Sequence, residues 1–140
     1  MKYWRINTDS AARHDVKTCD LWYEHGMVFT GDYDGNLQKH DSVLRKMEPG
    51  HGVYMHHSGA GIVGYGTVTE KWNGKIYEGD QRLLYRVERF EYRIRVDWLP
   101  EYDRRWNPLS VNGNLPYMGT YSQVDPKKWD ISSVLGKLRK

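Results

Sequence analysis

The sequence predicts an α+β protein built on a small closed β-barrel of five or six strands, with two or three short helices. Residues 53–68 read as two strands around a Ser-Gly-Ala-Gly turn, because β-branched and aromatic residues alternate on both sides of it. Residues 83–99 alternate charged with bulky side chains, which is typical of a strand with one face in water. Prolines at positions 100, 108, 116 and 126 leave room only for short elements after that strand.

The first half of the chain shows two strand patterns and two helical ones. The segment Asn-Thr-Asp-Ser at 7–10 favours a turn or helix start, and Gly26 stands where the following helix would stop. Leu37 to Met47 places apolar residues on one side ahead of Pro49-Gly50, so it would be a helix covering one barrel opening. The predicted elements are strands at 3–6 and 27–30 and helices at 11–24 and 37–47.

The second half adds the long strand and a C-terminal helix. An Asn-Gly pair at 73–74 predicts a local hairpin or an exposed excursion over 71–77. The alternation within 83–99 changes phase between Arg89 and Tyr92, which indicates a bend or bulge. A last strand is predicted at 117–124, and Asp125-Pro126 would begin the final helix.

Gly64 and Gly66 lie two residues apart in the second strand of the 53–68 hairpin. One face of that strand therefore carries no side chain at two successive positions. A bulge, a barrel corner or the close approach of a ligand is the usual reason for such glycines.

Composition favours one domain over residues 1–140 and permits an anionic partner. The chain has 140 residues, a net charge of +3 and a pI near 8.9, a mildly basic balance that many proteins share. Six Trp and eleven Tyr stand against two Phe, so the aromatic rings mostly carry a polar group. Such rings serve as stacking surfaces for bases, or they pack a β core.

Several functional classes lack their signatures. The single cysteine, Cys19, excludes an internal disulfide and paired-thiolate zinc sites. His51, His56 and His57 lie close in sequence, but adjacent strand residues face opposite sides and no nearby carboxylate completes a metal site. No nucleophile elbow and no phosphate-binding loop is present. We therefore expect no cofactor, no metal and no enzymatic activity.

The sequence also bears on location. The N-terminus reads as a strand rather than a signal peptide, so the mature chain is expected to begin at Met1. No apolar run approaches the ~20 residues that a membrane span needs. The expectation is a cytoplasmic protein with no membrane partner.

Several segments, in order along the chain, carry a family resemblance. Tyr-Trp-Arg-Ile-Asn-Thr-Asp at 3–9, the helix end at 44–50 and above all His-His-Ser-Gly-Ala-Gly-Ile-Val-Gly-Tyr-Gly-Thr-Val at 56–68 resemble the EVE domain. This is a small barrel of the PUA-like superfamily, related to the YTH readers of methylated adenine. Residues 21–31 are similar to the version fused to modification-dependent restriction enzymes, where a Trp often follows the glycine; this chain has Asp32 there.

The resemblance implies a nucleic-acid-binding reader that flips a modified base into an aromatic-lined pocket. The base would be methylated or hydroxymethylated cytosine or methylated adenine, in double-stranded DNA or in RNA, and a separate nuclease or restriction partner would fit this role. By segment match, the pocket residues would be Asn7, Asp9, Trp22, Phe29, Thr30, Asp32, Tyr33, His57 and Ser58. Phosphates would meet Arg104, Arg105, Lys127 and Lys128.

Each of these assignments has a plainer alternative. Asn7 and Asp9 would equally serve as turn caps, Trp22 as a core residue and His57 as a hydrogen-bonded core histidine. The basic residues would be ordinary solvated charges. At the level of function, an RNA-binding PUA-like module without base flipping stays open, and a small hydrolase or nuclease is a more distant possibility.

Overall fold

A mixed β-sheet with three α-helices forms the body of the protein. The computed structural model describes residues 1–8, 17–32, 37–57, 59–83, 90–116 and 120–139, without the side chains of residues 32 and 37–39. The elements are β1 (Tyr3–Asn7), α1 (Thr18–His25), β2 (Met27–Asp32), α2 (Leu37–Leu44), β3 (Gly52–His57), β4 (Gly61–Val68), β5 (Tyr77–Glu78), β6 (Phe90–Trp98), β7 (Tyr121–Val124) and α3 (Ile131–Leu138).

The strand order is β2-β6-β4-β3-β1-β7, with the two-residue β5 on β6. β1 and β3 run parallel, and the other described pairs are antiparallel. The α+β class and the small barrel-like sheet are confirmed. The described strands form a half-barrel rather than a closed barrel, because β2 and β7 end the pairing path without pairing with each other.

The predicted hairpin is β3 and β4, and it contains an irregularity. Met55 pairs with Gly64 but His56 pairs with Ile62, so Val63 drops out of the register. The carbonyl of Val63 instead accepts hydrogen bonds from the Tyr23 hydroxyl (2.9 Å) and from the Arg104 backbone N–H (3.0 Å). The bulge therefore attaches two other parts of the chain to the hairpin.

The paired glycines of β4 admit protein groups rather than a ligand. A Cβ on Gly64 would overlap the Tyr23 hydroxyl of α1, and one on Gly66 would overlap the Asp97 carbonyl of β6. Of the three explanations predicted, a bulge is observed beside Gly64, whereas the groups that approach the two glycines closely belong to the chain itself and not to a ligand.

The sheet is buried on both faces. The inner cluster gathers apolar residues from the concave side of the sheet together with α1 and α2, including Trp4, Ile6, Trp22, Met55 and Tyr92. The outer cluster lies under α3 and the segment before β7, and it includes Tyr54, Ile62, Tyr65, Val134 and Leu138. β1 and β3 contribute alternate residues to each cluster, as the period of two requires.

Most predicted elements are present with shifted ends. The strand predicted at 83–99 is described from Phe90 onward, and residues 84–89 lie outside the described part, as do 9–16 of the first helix and 117–119 of the last strand. Residues 71–76 have no regular structure; four of them are exposed, whereas Trp72 and Ile76 are half-buried and pack against the inner cluster.

The last helix begins at Ile131, not at Asp125-Pro126. The Asp125 carboxylate accepts from the Lys127 N–H (2.9 Å) and makes a turn, whereas Asp130 caps the helix by accepting from Ser133 N–H (3.0 Å). No helix in the described part of the chain is long and apolar enough to cross a membrane.

Candidate functional site

One end of the sheet gathers polar side chains from neighbouring strands. Because β1 and β3 are parallel, their carboxyl ends meet at the same edge, where Asn7 lies opposite His56. β7 is antiparallel to β1 and starts at this edge, with Tyr121 opposite Ile6. We call this the β1/β3 end.

On the outer face of this end, a buried arginine organises the polar groups. The Arg5 side chain is only 2% exposed, and it donates from Nη1 to Asn7 Oδ1 (2.6 Å) and from Nη2 to Ser122 Oγ (3.2 Å). Asn7 Oδ1 also accepts from His56 Nδ1 (2.5 Å). The two bonds to Asn7 Oδ1 are short, and the one from Arg5 is charge-assisted. Together they fix the orientation of the Asn7 amide.

On the inner face, Thr8 holds the half-buried His57. Thr8 Oγ1 lies 2.8 Å from His57 Nδ1. Burial lowers the pKa of His57, Lys17 lowers it further, and Asp20 opposes the shift. The ring is therefore neutral at pH 7, and a neutral imidazole offers one donor and one acceptor.

Side chains bridge the seam between β2 and β7. Thr30 Oγ1 and His40 Nδ1 lie 2.5 Å and 2.7 Å from the Tyr121 hydroxyl, which joins β2 and α2 to β7. The His40 ring stacks on Tyr92 with centroids 4.2 Å apart and planes within 7°. No backbone pairing joins β2 to β7 in the described part of the chain. The side chains of Thr30, His40 and Tyr121 fill the space between these strands and extend to the β1/β3 end.

No protein-family model and no curated protein matches this chain significantly. Solved structures do match it. The NMR structure of Rpa0253 from Rhodopseudomonas palustris aligns with a TM-score of 0.55 at 14% identity, over 100% of this chain and 97% of that one. The YTH domain of Toxoplasma CPSF4, in complex with a 7-mer m6A-modified RNA, aligns at 0.54 and 17% identity, over 99% and 92%.

Human THYN1, solved in complex with DNA containing 5-methylcytosine, aligns with a TM-score of 0.50 at 14% identity, over 100% of both chains. This chain shares the fold of these structures. At the level of fold, the resemblance found in the sequence is therefore confirmed.

Within this fold, three of the predicted pocket residues come to the β1/β3 end. Asn7 and His57 sit at the two parallel strand ends, and Thr30 joins them across the seam through Tyr121. Four others cannot be placed: Asp9, Tyr33 and Ser58 lie outside the described residues, and so does the side chain of Asp32.

Trp22 and Phe29 lie elsewhere. Trp22 has no solvent exposure and stacks on Trp98 in the inner cluster, with centroids 6.0 Å apart and planes at 22°. Phe29 is buried next to Thr30, but adjacent strand residues point to opposite faces. Its ring meets His25 edge-on and lies under the Arg93 guanidinium.

Four basic residues were predicted to meet phosphates, and they occupy different surroundings. Arg105 forms ion pairs with Asp103 (2.7 Å) and Asp20 (2.8 Å) and stacks over the Tyr23 ring, and the Asp103 hydrogen bond is the main reason its pKa is raised. Its charge is thus compensated within the fold.

The other basic residues lie at a turn near β4 and beyond the end of β7. The Arg104 guanidinium is half-buried and donates from Nε to the Asn107 carbonyl (2.7 Å). Lys127 and Lys128 are exposed after Val124, which pairs with Tyr3, so they lie at the opposite end of the sheet from Asn7.

Sequence reasoning missed several polar residues of the β1/β3 end: Arg5, Thr8, His40, His56 and Tyr121. The sequence could have identified Arg5, because it lies between Trp4 and Ile6 in a short strand. A charged side chain that is buried there costs free energy unless it is hydrogen-bonded. His40 and Tyr121 are 81 residues apart, and only the three-dimensional arrangement joins them. Among the described residues, no group of three His, Cys, Asp or Glu side chains is placed to hold a metal ion.

Proposed function

We propose that this chain is a nucleic-acid-binding reader that takes one modified base out of its helix and holds it at the β1/β3 end. The observation that carries the proposal is the pair of oriented hydrogen-bonding groups Thr30 and His57 on the inner face of the end where the two parallel strands stop, with Asn7 oriented on the outer face of the same end. Support comes from two proteins of the same fold, one solved with m6A-modified RNA and one with 5-methylcytosine DNA.

The chemistry of these groups suits a nucleobase edge. Thr8 occupies Nδ1 of His57, so Nε2 is the ring nitrogen that would meet a ligand. Arg5 and His56 both bond to Asn7 Oδ1, which orients the Asn7 amide before any ligand arrives. Preoriented groups lose little entropy on binding, and this helps to offset the few kcal/mol that base flipping costs.

The base in question is methylated or hydroxymethylated cytosine or methylated adenine. We place Thr30 and His57, on the inner face of the β1/β3 end, at the edge of the base, and we keep Asn7 on the outer face, together with Asp9, Asp32, Tyr33 and Ser58, as candidates for the remaining contacts. Trp22 and Phe29 would contribute only by supporting the pocket from the core. The proposed role is binding without catalysis, and a separate nuclease or restriction partner would supply any cleavage.

The test is a fluorescence-anisotropy titration with matched pairs of oligonucleotides: duplexes with one 5-methylcytosine or cytosine, and RNA with one m6A or adenine. The wild-type chain should bind the modified member of one pair more tightly. In the His57→Ala variant, the affinities for the modified and the unmodified oligonucleotide of that pair should become equal. His51→Ala is the matched control, because His51 is also a hydrogen-bonded histidine of lowered pKa but precedes β3 at the opposite end.

Three results would count against the proposal. Equal affinity of the wild type for both members of every pair would remove modified-base reading. Tight binding to single-stranded RNA regardless of modification would favour the RNA-binding module without flipping. A base analogue that brightens when unstacked, placed at the target position, should fluoresce more strongly on binding, and no change would exclude flipping.

A further inference from the structure

Trp106 is the feature of the structure that the proposed site leaves unused. Its side chain is 63% exposed, and among the described residues Met1 at the terminus is the only other large hydrophobic side chain that is exposed. Single exposed apolar residues are common on proteins. What sets Trp106 apart is the way the chain around it is held.

The turn that carries Trp106 is fixed to the sheet on both sides. Before the ring, the Arg104 N–H donates to the Val63 carbonyl (3.0 Å) that the β4 bulge makes available. Around it, Asn107 N–H donates to the Arg104 carbonyl (3.2 Å) and Arg104 Nε donates to the Asn107 carbonyl (2.7 Å). These bonds fix the backbone of the turn that carries Trp106.

Behind the ring, the chain docks on the start of β4. Leu109 and Ile62 exchange both backbone hydrogen bonds, at 2.7 and 3.0 Å. Gly61, with φ of +131°, makes this contact possible, since a Cβ there would overlap the Leu109 carbonyl. The chain that follows Trp106 is therefore held against Gly61, which belongs to the turn between β3 and β4.

This docking places Trp106 near the β1/β3 end. Leu109 pairs with Ile62, Ile62 with His56, and His56 with Asn7. Three strand spacings of about 4.8 Å put Leu109 roughly 14 Å from Asn7 along the sheet. Trp106 stands three residues before Leu109, so a strand that reaches from Asn7 to the ring spans more than one nucleotide.

The charge beside the ring favours an anionic ligand. Asp103 and Asp20 compensate Arg105, so among the described residues Arg104 is the cation of this turn that makes no ion pair. An aromatic ring next to a guanidinium matches a nucleotide, which offers a base to stack and a phosphate to pair.

We propose that Trp106 and Arg104 form a second nucleic-acid contact, in which the indole stacks on an unpaired base and the guanidinium meets the adjacent phosphate. The inference extends the proposed function, because it places this nucleotide a few steps from the base held at the β1/β3 end. The contact itself does not depend on modification.

The test uses the whole chain and an unmodified single-stranded 12-nucleotide RNA, with Kd measured by anisotropy. Trp106→Ala should weaken binding about 5- to 100-fold, the range measured when a stacking ring is lost. Trp106→Phe should retain most of the affinity because it keeps a ring, and Trp106→Leu should not, although it keeps apolar bulk. Asn112→Ala, at an exposed position of a nearby turn, is the control and should bind like wild type.

The outcomes separate this inference from the proposed function. Stacking is supported if Trp106→Ala weakens binding to the RNA and leaves unchanged the ratio of the affinities for modified and unmodified duplex. This holds even if the wild-type chain binds both duplexes equally and the ratio is one. Wild-type affinity of Trp106→Ala or of Trp106→Leu for the RNA would overturn the inference. A change in self-association by light scattering, with RNA binding intact, would overturn it in favour of a protein contact.

Discussion

Replacing Trp22 by alanine should destabilise the fold rather than act on recognition alone. The side chain has no solvent exposure, belongs to the inner cluster and stacks on Trp98. Truncating a fully packed tryptophan costs about 3–5 kcal/mol, through lost burial and the cavity that remains. A domain of this class has a total stability of about 5–15 kcal/mol, so the variant should stay folded only marginally.

The indole nitrogen adds nothing to that cost. Within the described part of the chain, Nε1 of Trp22 is buried without a hydrogen-bond partner, so removing it breaks no bond there. Trp22→Phe keeps an apolar ring and should cost roughly half as much as Trp22→Ala. This ordering distinguishes a packing role from a polar one.

Urea unfolding followed by circular dichroism measures both variants, and Trp106→Ala is the matched control. The same chemical change at a 63% exposed site should alter the unfolding free energy by no more than about 0.5 kcal/mol. A Trp22→Ala protein within about 1 kcal/mol of wild type would refute the packing argument. If that stable variant also lost its preference for a modified duplex, Trp22 would line the base pocket after all.

Three further outcomes are expected. Gly64→Ala forces a methyl against the Tyr23 hydroxyl and should destabilise by about 1–3 kcal/mol, part of which Tyr23→Phe should restore in the double variant; strictly additive unfolding energies would contradict the overlap. The pKa of His57 in the folded chain lies below its ordinary 6.5, so its stabilising contribution is complete above pH 6.5 and is lost as the pH falls through the folded value. His57→Gln should therefore flatten the fall in stability between pH 7 and 5, and an unchanged profile would exclude this residue as its source. Arg104→Ala should reduce the slope of log affinity for single-stranded RNA against log salt by about 0.7, whereas Arg105→Ala should lower the melting temperature because it breaks two ion pairs; exchanged effects would reverse their roles.

The sequence predicted the hairpin and the succession of strands and helices along the chain because these depend on local patterns. Alternation fixed the two strands at 53–68, and the glycines between them supply the positive φ angles of the turn, +81° at Gly59 and +131° at Gly61. Whether the sheet closes into a full barrel depends on two strands far apart in sequence, and the described strands form a half-barrel. The distance between β2 and β7 is set by α2 and by the Thr30–Tyr121 contact, which no local pattern encodes.

The candidate site was only partly predictable for a related reason. Residues at strand ends, such as Asn7 and His57, are visible in a sequence because the pattern shows where a strand stops. Trp22 was an ambiguous case, because a tryptophan on a short helix serves a pocket and a core equally well until its neighbours are known. Its neighbour is Trp98, 76 positions later, and that contact places it in the core.

The bulge in β4 links these observations into one physical cause. If the hairpin kept a regular register, Val63 would pair with β3 and its carbonyl would serve the ladder. Leaving Val63 out frees that carbonyl, and it then anchors α1 through Tyr23 and the Trp106 turn through Arg104. The same shift brings His56 opposite Ile62 while it pairs with Asn7. The irregularity at Val63 therefore affects three parts of the structure: the pairing at the β1/β3 end, the position of α1, which carries Trp22, and the turn that carries Trp106. A change that restored regular pairing at Val63 should disturb these three parts together.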